Sequence, residues 1–200
     1  MLIGWGGSAW AAAGLTGVKY AGYFSDNLDY FDSATVESDS RFNNLFTAIN
    51  YATPGQNFDD TYSVKYYGYF TASSTETYTF YTNSDDSSWL WIGNSGETIS
   101  ALEARRSNSN EIVDNSGLHG MVEKSGTVSL VSGNTYPILI YFGEQTGGDR
   151  IDVNFSTSTI TKTDDGTSYY STTNVDSTAP TATLAYTKGG SAVTSVKNGD

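Results

Sequence analysis

Between Ser88 and the turn signal of Gly93 and Asn94, four apolar residues follow one another without a break: Trp89, Leu90, Trp91 and Ile92. A strand turns successive side chains to opposite faces, so a strand that is apolar at every position has no face to give to water. This segment is expected at the centre of a core. The residues around it carry the same period. Tyr62 to Thr71 alternates through Val64, Tyr66, Gly68 and Phe70, and Thr77 to Thr82 alternates again after the polar turn at Ser73, Ser74 and Thr75, which together read as a hairpin. Further strands fit Val18 to Phe24, Thr127 to Val131, Tyr136 to Phe142 and Arg150 to Phe155.

Composition agrees with an all-β chain. Tyr (15) and Phe (9) suit pleated, half-buried surfaces, while 21 Gly with abundant Asn and Asp supply turns. One short helix is expected over Arg41 to Tyr51, where Phe42, Leu45, Phe46 and Ile49 recur near every 3.6 residues. Residues 103 to 120 read as a long polar loop.

Charge narrows the partners. Ten Lys and Arg against 22 Asp and Glu give a formal net charge of -12, which repels phosphate backbones and anionic lipid. Nucleic acid and membrane surfaces are therefore unexpected, and hard cations with oxygen ligands are expected. The absence of Cys excludes thiolate metal sites, disulfides and Cys nucleophiles. No run reaches the ~18 apolar residues that span a bilayer. Met1 to Gly4 lacks the basic flank of a signal peptide, so any export signal is expected elsewhere in a longer parent.

The adjacent carboxylates Asp85 and Asp86 carry the chemistry. They stand at the end of one strand and just before the buried one. In a regular strand they would face opposite ways, and brought together without a cation they would repel and raise one pKa. Two readings are open: a solvated turn built from Asn83 to Ser88, or a divalent-ion site that turns the repulsion into attraction. His119 is the only histidine and supports no catalytic triad, so it reads as a loop residue. Trp89 and Trp91 read as core rather than as sugar platforms. Arg105 and Arg106 read as solvated.

The order Gly68-Tyr69-Phe70, Glu76-x-Tyr78-x-Phe80, Ser84-Asp85-Asp86, Trp89 to Gly93 and Tyr136 to Phe142, followed by a Gly-rich loop, resembles the PA14 family over roughly Thr16 to Phe155. The resemblance implies a β-sandwich or barrel with jelly-roll character. It is to the lectin branch found in flocculins and bacterial repeat adhesins, including those of marine bacteria that adhere to ice. That branch implies Asp85 and Asp86 joined by a cis peptide and bound to Ca2+, with the loop Gly143 to Arg150 completing the shell. Glu144 and Gln145 are alternatives one register step apart for a side-chain ligand. Gln145 is preferred, with Thr146 and Gly148 offering carbonyls. Sugar contacts are expected from Asp85, Asp86, Gln145, Gly147 and Asp149. The ligands implied are glucose- or fucose-type vicinal diols on cell surfaces, bound by a non-catalytic, monomeric, extracellular module of a bacterial adhesin. Rival readings are a PA14 module attached to a glycosidase, using Asp86 and Glu144 as an acid pair, and a calcium-stiffened spacer.

The expected organisation is an N-terminal extension over 1–17, the sugar-binding domain over 18–160, a linker over 161–180 and the start of an Ig-like repeat over 181–200. Asp164, Asp165 and Asp176 flank that joint and could hold a stiffening calcium or stand solvated.

Overall fold

The computed structural model describes residues 11–51, 59–174, 186–188 and 191–193. Strands β1 (Leu15–Ala21), β2 (Val36–Glu37), β3 (Leu45–Phe46) and β4 (Asn50–Tyr51) come first, with a 3-10 helix (Leu28–Asp32) between β1 and β2. The long hairpin β5 (Tyr62–Thr71) and β6 (Glu76–Asp85) follows, then β7 (Ser88–Ile92), helix α1 (Ile99–Arg105), β8 (Val113–Asn115) and β9 (Val122–Leu130). The chain goes on through β10 (Thr135–Glu144), β11 (Arg150–Ser156), β12 (Tyr170–Ser171), β13 (Tyr186–Lys188) and β14 (Ser191–Val193).

Two antiparallel sheets form a sandwich. One runs β2-β1-β5-β10-β7-β8, with β3 on β1 and β12 on β5; the other runs β4-β11-β6-β9. The period of two decides what lies between them. Tyr78 and Phe80 of β6 and Ile151, Val153 and Phe155 of β11 meet Val64, Tyr66 and Phe70 of β5, Leu90 of β7, and Ile138, Ile140 and Phe142 of β10 in one core. A second, smaller core covers the outer face of the larger sheet. There Trp89, Trp91, Leu139 and Tyr141 pack with Tyr20, Phe24, Phe31 and Leu102 of α1.

This second layer explains why β7 is apolar throughout and why all ten residues of β10 are buried. Trp89 and Trp91 stack with centroids 5.7 Å apart and belong to the core, as their sequence setting implies.

The expected helix at 41–51 does not form. Phe42 and Ile49 are buried, yet Leu45 is 43% exposed, and the backbone bonds to strands instead: Gly17 N–H donates to the Asn44 carbonyl and Val153 N–H to that of Ile49. Apolar spacing over so few residues fits an irregular crossing equally well. The α-helix lies instead within Ile99–Arg105, capped by Thr98, whose hydroxyl accepts from Ala101 N–H at 3.1 Å, and anchored by Leu102. Residues 103 to 120 therefore hold the end of α1 and the strand β8 as well as loop. Arg106 is not solvated. Its guanidinium donates to the Leu28 carbonyl at 2.7 Å, pairs with Asp32 at 2.9 Å and lies over the Tyr141 ring.

Lys19, on the inner face of β1, is buried and held by Asp59 (2.5 Å), Glu37 (3.2 Å) and Asp39 (3.5 Å). The segment expected as linker returns to the sheet at β12, where Tyr170 and Ser171 pair with Phe70 and Tyr69. Asp164 accepts from the Asn50 amide at 2.7 Å and Asp165 from Thr167 N–H at 3.0 Å, while Asp176 lies outside the described residues. Most of 181–200 also lies outside them; β13 pairs with β14 there.

Ile140 faces the inter-sheet core at full burial. Ile140→Ala is expected to cost about 2–5 kcal/mol in urea unfolding, against no more than about 0.5 kcal/mol for Val131→Ala at a half-exposed site.

Candidate functional site

The ends of β6, β7 and β10 converge at one edge of the sandwich, and strand parity decides which side chains meet there. On β10 the even-numbered residues Ile138, Ile140 and Phe142 point between the sheets, so the next in that series, Glu144, does too. On β6 the series Tyr78, Phe80, Thr82 and Ser84 is buried, and the strand then ends at Asp85. The peptide between Asp85 and Asp86 is cis. Asp85, Asp86 and Glu144 each offer a carboxylate oxygen, and these oxygens lie within 4.8 Å of one another.

Asp86 is 5% exposed and held from both sides. Its Oδ1 accepts from His119 N–H at 2.9 Å and its Oδ2 from Gln145 N–H at 3.1 Å. Glu144 is in the opposite state, fully buried with no hydrogen-bond partner for either carboxylate oxygen. Burial, followed by the charges of Asp86, Asp85 and Asp149, pushes its pKa up to about 8, against a smaller opposing pull from the Asp86 backbone N–H, which does not complete a hydrogen bond to either oxygen. Burial and then Asp86 also raise Asp85, and Asp149 adds to the effect while His119 opposes it. Tyr23, close to the same charges, is raised by burial first and then by Asp26 and Asp86.

Of the two register alternatives, it is Glu144 whose side chain enters the cluster. Gln145 is exposed; it lends its N–H to Asp86, and its carbonyl accepts from Thr61 N–H at 3.0 Å and Thr61 Oγ1 at 3.1 Å. Thr146 is exposed. Gly147, also exposed, has φ +116, a conformation that favours glycine, and its N–H reaches Asp60 Oδ1 at 3.3 Å. Gly148 packs against the site: a Cβ there would lie 3.4 Å from Asp85 Oδ2. Asp149 is 1% exposed and accepts from the Tyr62 hydroxyl at 2.8 Å.

Sequence reasoning missed two supports. Asp26, with φ +57, accepts from the Ser87 hydroxyl, from Trp89 Nε1 at 3.1 Å and from Gly117 N–H at 3.0 Å. The loop 116–120 is thus tied down twice, at Gly117 by Asp26 and at His119 by Asp86. A turn-rich run of Asp and Asn around 26–32 was the only signal for the first, and a backbone N–H leaves none for the second.

Beneath the cluster runs a buried polar layer. Ser84 Oγ lies 2.7 Å from Ser88 Oγ, and the Asn115 amide donates to Ser84 Oγ at 3.0 Å and to the Val122 carbonyl at 2.8 Å. This layer joins β6, β7, β8 and β9 directly behind the two aspartates.

Residues 62–159, just under half the chain, match the family model of the GLEYA domain. No curated protein sequence matches the chain. Solved structures match the fold. An anti-sigma factor domain-containing protein is 20% identical with TM-score 0.62 over 82% of this chain and 50% of that one, so this chain spans half its length. The A domain of epithelial adhesin 6 from Candida glabrata, in complex with Galb1-3GlcNAc, is 17% identical with TM-score 0.64 over 84% of this chain and 90% of that one. A PA14 sugar-binding domain from an RTX adhesin is 15% identical with TM-score 0.57, covering 82% of this chain and 100% of that one.

A carboxyl that holds its proton more tightly when folded stabilises the fold at low pH and loses that contribution as pH rises. In chelator, Glu144 is therefore expected to make the protein progressively less stable between about pH 4.5 and about pH 8. Urea midpoints across that window should fall for the native sequence and flatten for Glu144→Gln.

Proposed function

Starting from a chain with the PA14 fold, we propose that it is a calcium-dependent carbohydrate-binding module of a cell-surface adhesin, with Asp85, Asp86 and Glu144 as side-chain ligands of the ion. The observation that carries this reading is Glu144. A fully buried carboxylate with two unpartnered oxygens, aimed at two more carboxylates, is a costly arrangement that a cation makes favourable. The donors are all hard oxygens, as Ca2+ requires, and no thiolate exists in the chain.

Ca2+ takes 6–8 oxygens, and three carboxylates leave positions for backbone carbonyls of the 144–149 loop and for the vicinal hydroxyls of a sugar. The protein's own part is to hold the donors still. Asp86 is fixed by the N–H groups of His119 and Gln145, and Gly148 carries the second loop past Asp85, where even a Cβ would stand only at van der Waals distance from its carboxylate. Gln145 then contributes through its backbone, and Gly147 and Asp149 flank the place where a sugar would lie.

The adhesin and RTX relatives support a sugar as partner, an extracellular setting and a binding role rather than turnover. A glycosidase holds its two carboxyls about 5–9.5 Å apart across a cleft that admits the sugar or a water. Three carboxylates within 4.8 Å suit chelation better.

Calcium at ten times its Kd is expected to stabilise the fold by about 1.4 kcal/mol, seen as a raised melting temperature. Asp86→Ala should abolish the shift. On a glycan array, binding should appear with calcium and vanish with chelator. Release of free sugar from a bound glycan would instead favour a hydrolase, and a calcium shift with no glycan bound would favour a spacer.

A further inference from the structure

Left-handed backbone is costly in residues other than glycine, and among the described residues it gathers at one place. Ser25 (φ +50), Asp26 (φ +57) and Thr61 (φ +62) are the three that adopt it. Asp is among the residues that tolerate this region, whereas a β-branched residue such as Thr is an outlier there. Such backbone persists only where its surroundings over-determine it, and it concentrates at ligand clamps.

Both stretches grip a residue that follows a carboxylate of the cluster. Asp26 accepts from the hydroxyl of Ser87, next to Asp86, and Thr61 meets Gln145, next to Glu144. At Thr61 two donors converge on one acceptor, its N–H and Oγ1 reaching the Gln145 carbonyl at 3.0 and 3.1 Å. The N–H of the same Gln145 donates to Asp86 Oδ2 at 3.1 Å. Gln145 is thus held at both ends, by the acidic pair on one side and by Thr61 on the other. Thr61 is itself braced: its carbonyl accepts from Gly22 N–H at 3.0 Å, and Gly22 leads into the turn at 25–26. Thr61 is exposed and belongs to neither core, so burial does not impose its conformation.

We infer that Thr61 is a positioning residue for the ion, holding the turn at Glu144 and Gln145 against Asp86, and that the fold keeps a strained residue there for this purpose and not for stability. This rests on the ion-binding reading above and adds to it the residue that preorganises the second loop. With the turn held, Glu144 and Asp86 stay close before an ion arrives, and binding does not have to order them. Glycine at 61 would relieve the backbone and remove the hydroxyl, while serine would keep the hydroxyl and remove the branch.

Calcium titration calorimetry, with thermal melts in chelator, compares the native chain with Thr61→Gly and Thr61→Ser. Thr61→Gly is expected to weaken calcium binding about threefold to tenfold, through the lost bond and the freer turn, while its melting temperature in chelator holds or rises. Thr61→Ser, which keeps the hydroxyl, should bind calcium within about twofold of the native chain. Weaker binding without lost stability is a result that a purely structural residue does not give. Calcium binding by Thr61→Gly as tight as native, a fall in its melting temperature in chelator, or a Thr61→Ser variant as weak as Thr61→Gly overturns the inference and leaves the ion-binding reading standing. If the native chain binds no calcium, that reading falls and this one falls with it.

Discussion

Taking a carboxylate out of water costs several kcal/mol unless the protein takes over its solvation, and Glu144 is taken out of water with neither oxygen bonded. The rest of the site can be understood as arranged around that side chain. β10 runs through the middle of the larger sheet, covered on both faces, and its parity delivers Glu144 to the end of the inter-sheet core. Opposite it β6 ends in Asp85 and Asp86. Behind them Ser84, Ser88 and Asn115 bind four strands together. A rigid frame therefore holds like charges close together, and the repulsion built into it is what makes a cation a favourable occupant.

The strand pattern was the most legible part of the sequence. Alternation over 62–71 and 77–82, and the unbroken apolar run at 89–92, each mark real strands, because period two is a direct imprint of a pleated sheet with a buried face. The segment 41–51 misled for the same reason. Phe42, Phe46 and Ile49 pack inward from an irregular crossing, and so few residues cannot distinguish that from helical turns. Helix α1 left little imprint, since one buried residue, Leu102, anchors it.

The candidate site was legible in its acidic pair and only partly in the rest. Asp85 and Asp86 stand out by adjacency. Glu144 and Gln145 could not be separated without the register of β10, in which Glu144 pairs with Tyr62 and follows the buried series. The hold on Asp86 by two backbone N–H groups is silent in a sequence, because every residue but proline has one. Asp26 was visible as one of several acids in a turn, and only its bonds to Ser87, Trp89 and Gly117 set it apart.

The bond from Trp89 Nε1 to Asp26 has a practical side. The same carboxylate holds the hydroxyl of Ser87, the residue after Asp86, so an indole is wired by two hydrogen bonds to the edge of the acidic pocket. Indole emission responds to the electric field along the ring and to the strength of its N–H bond. The fold thus carries its own optical gauge of whatever charge enters that pocket, with no label to attach.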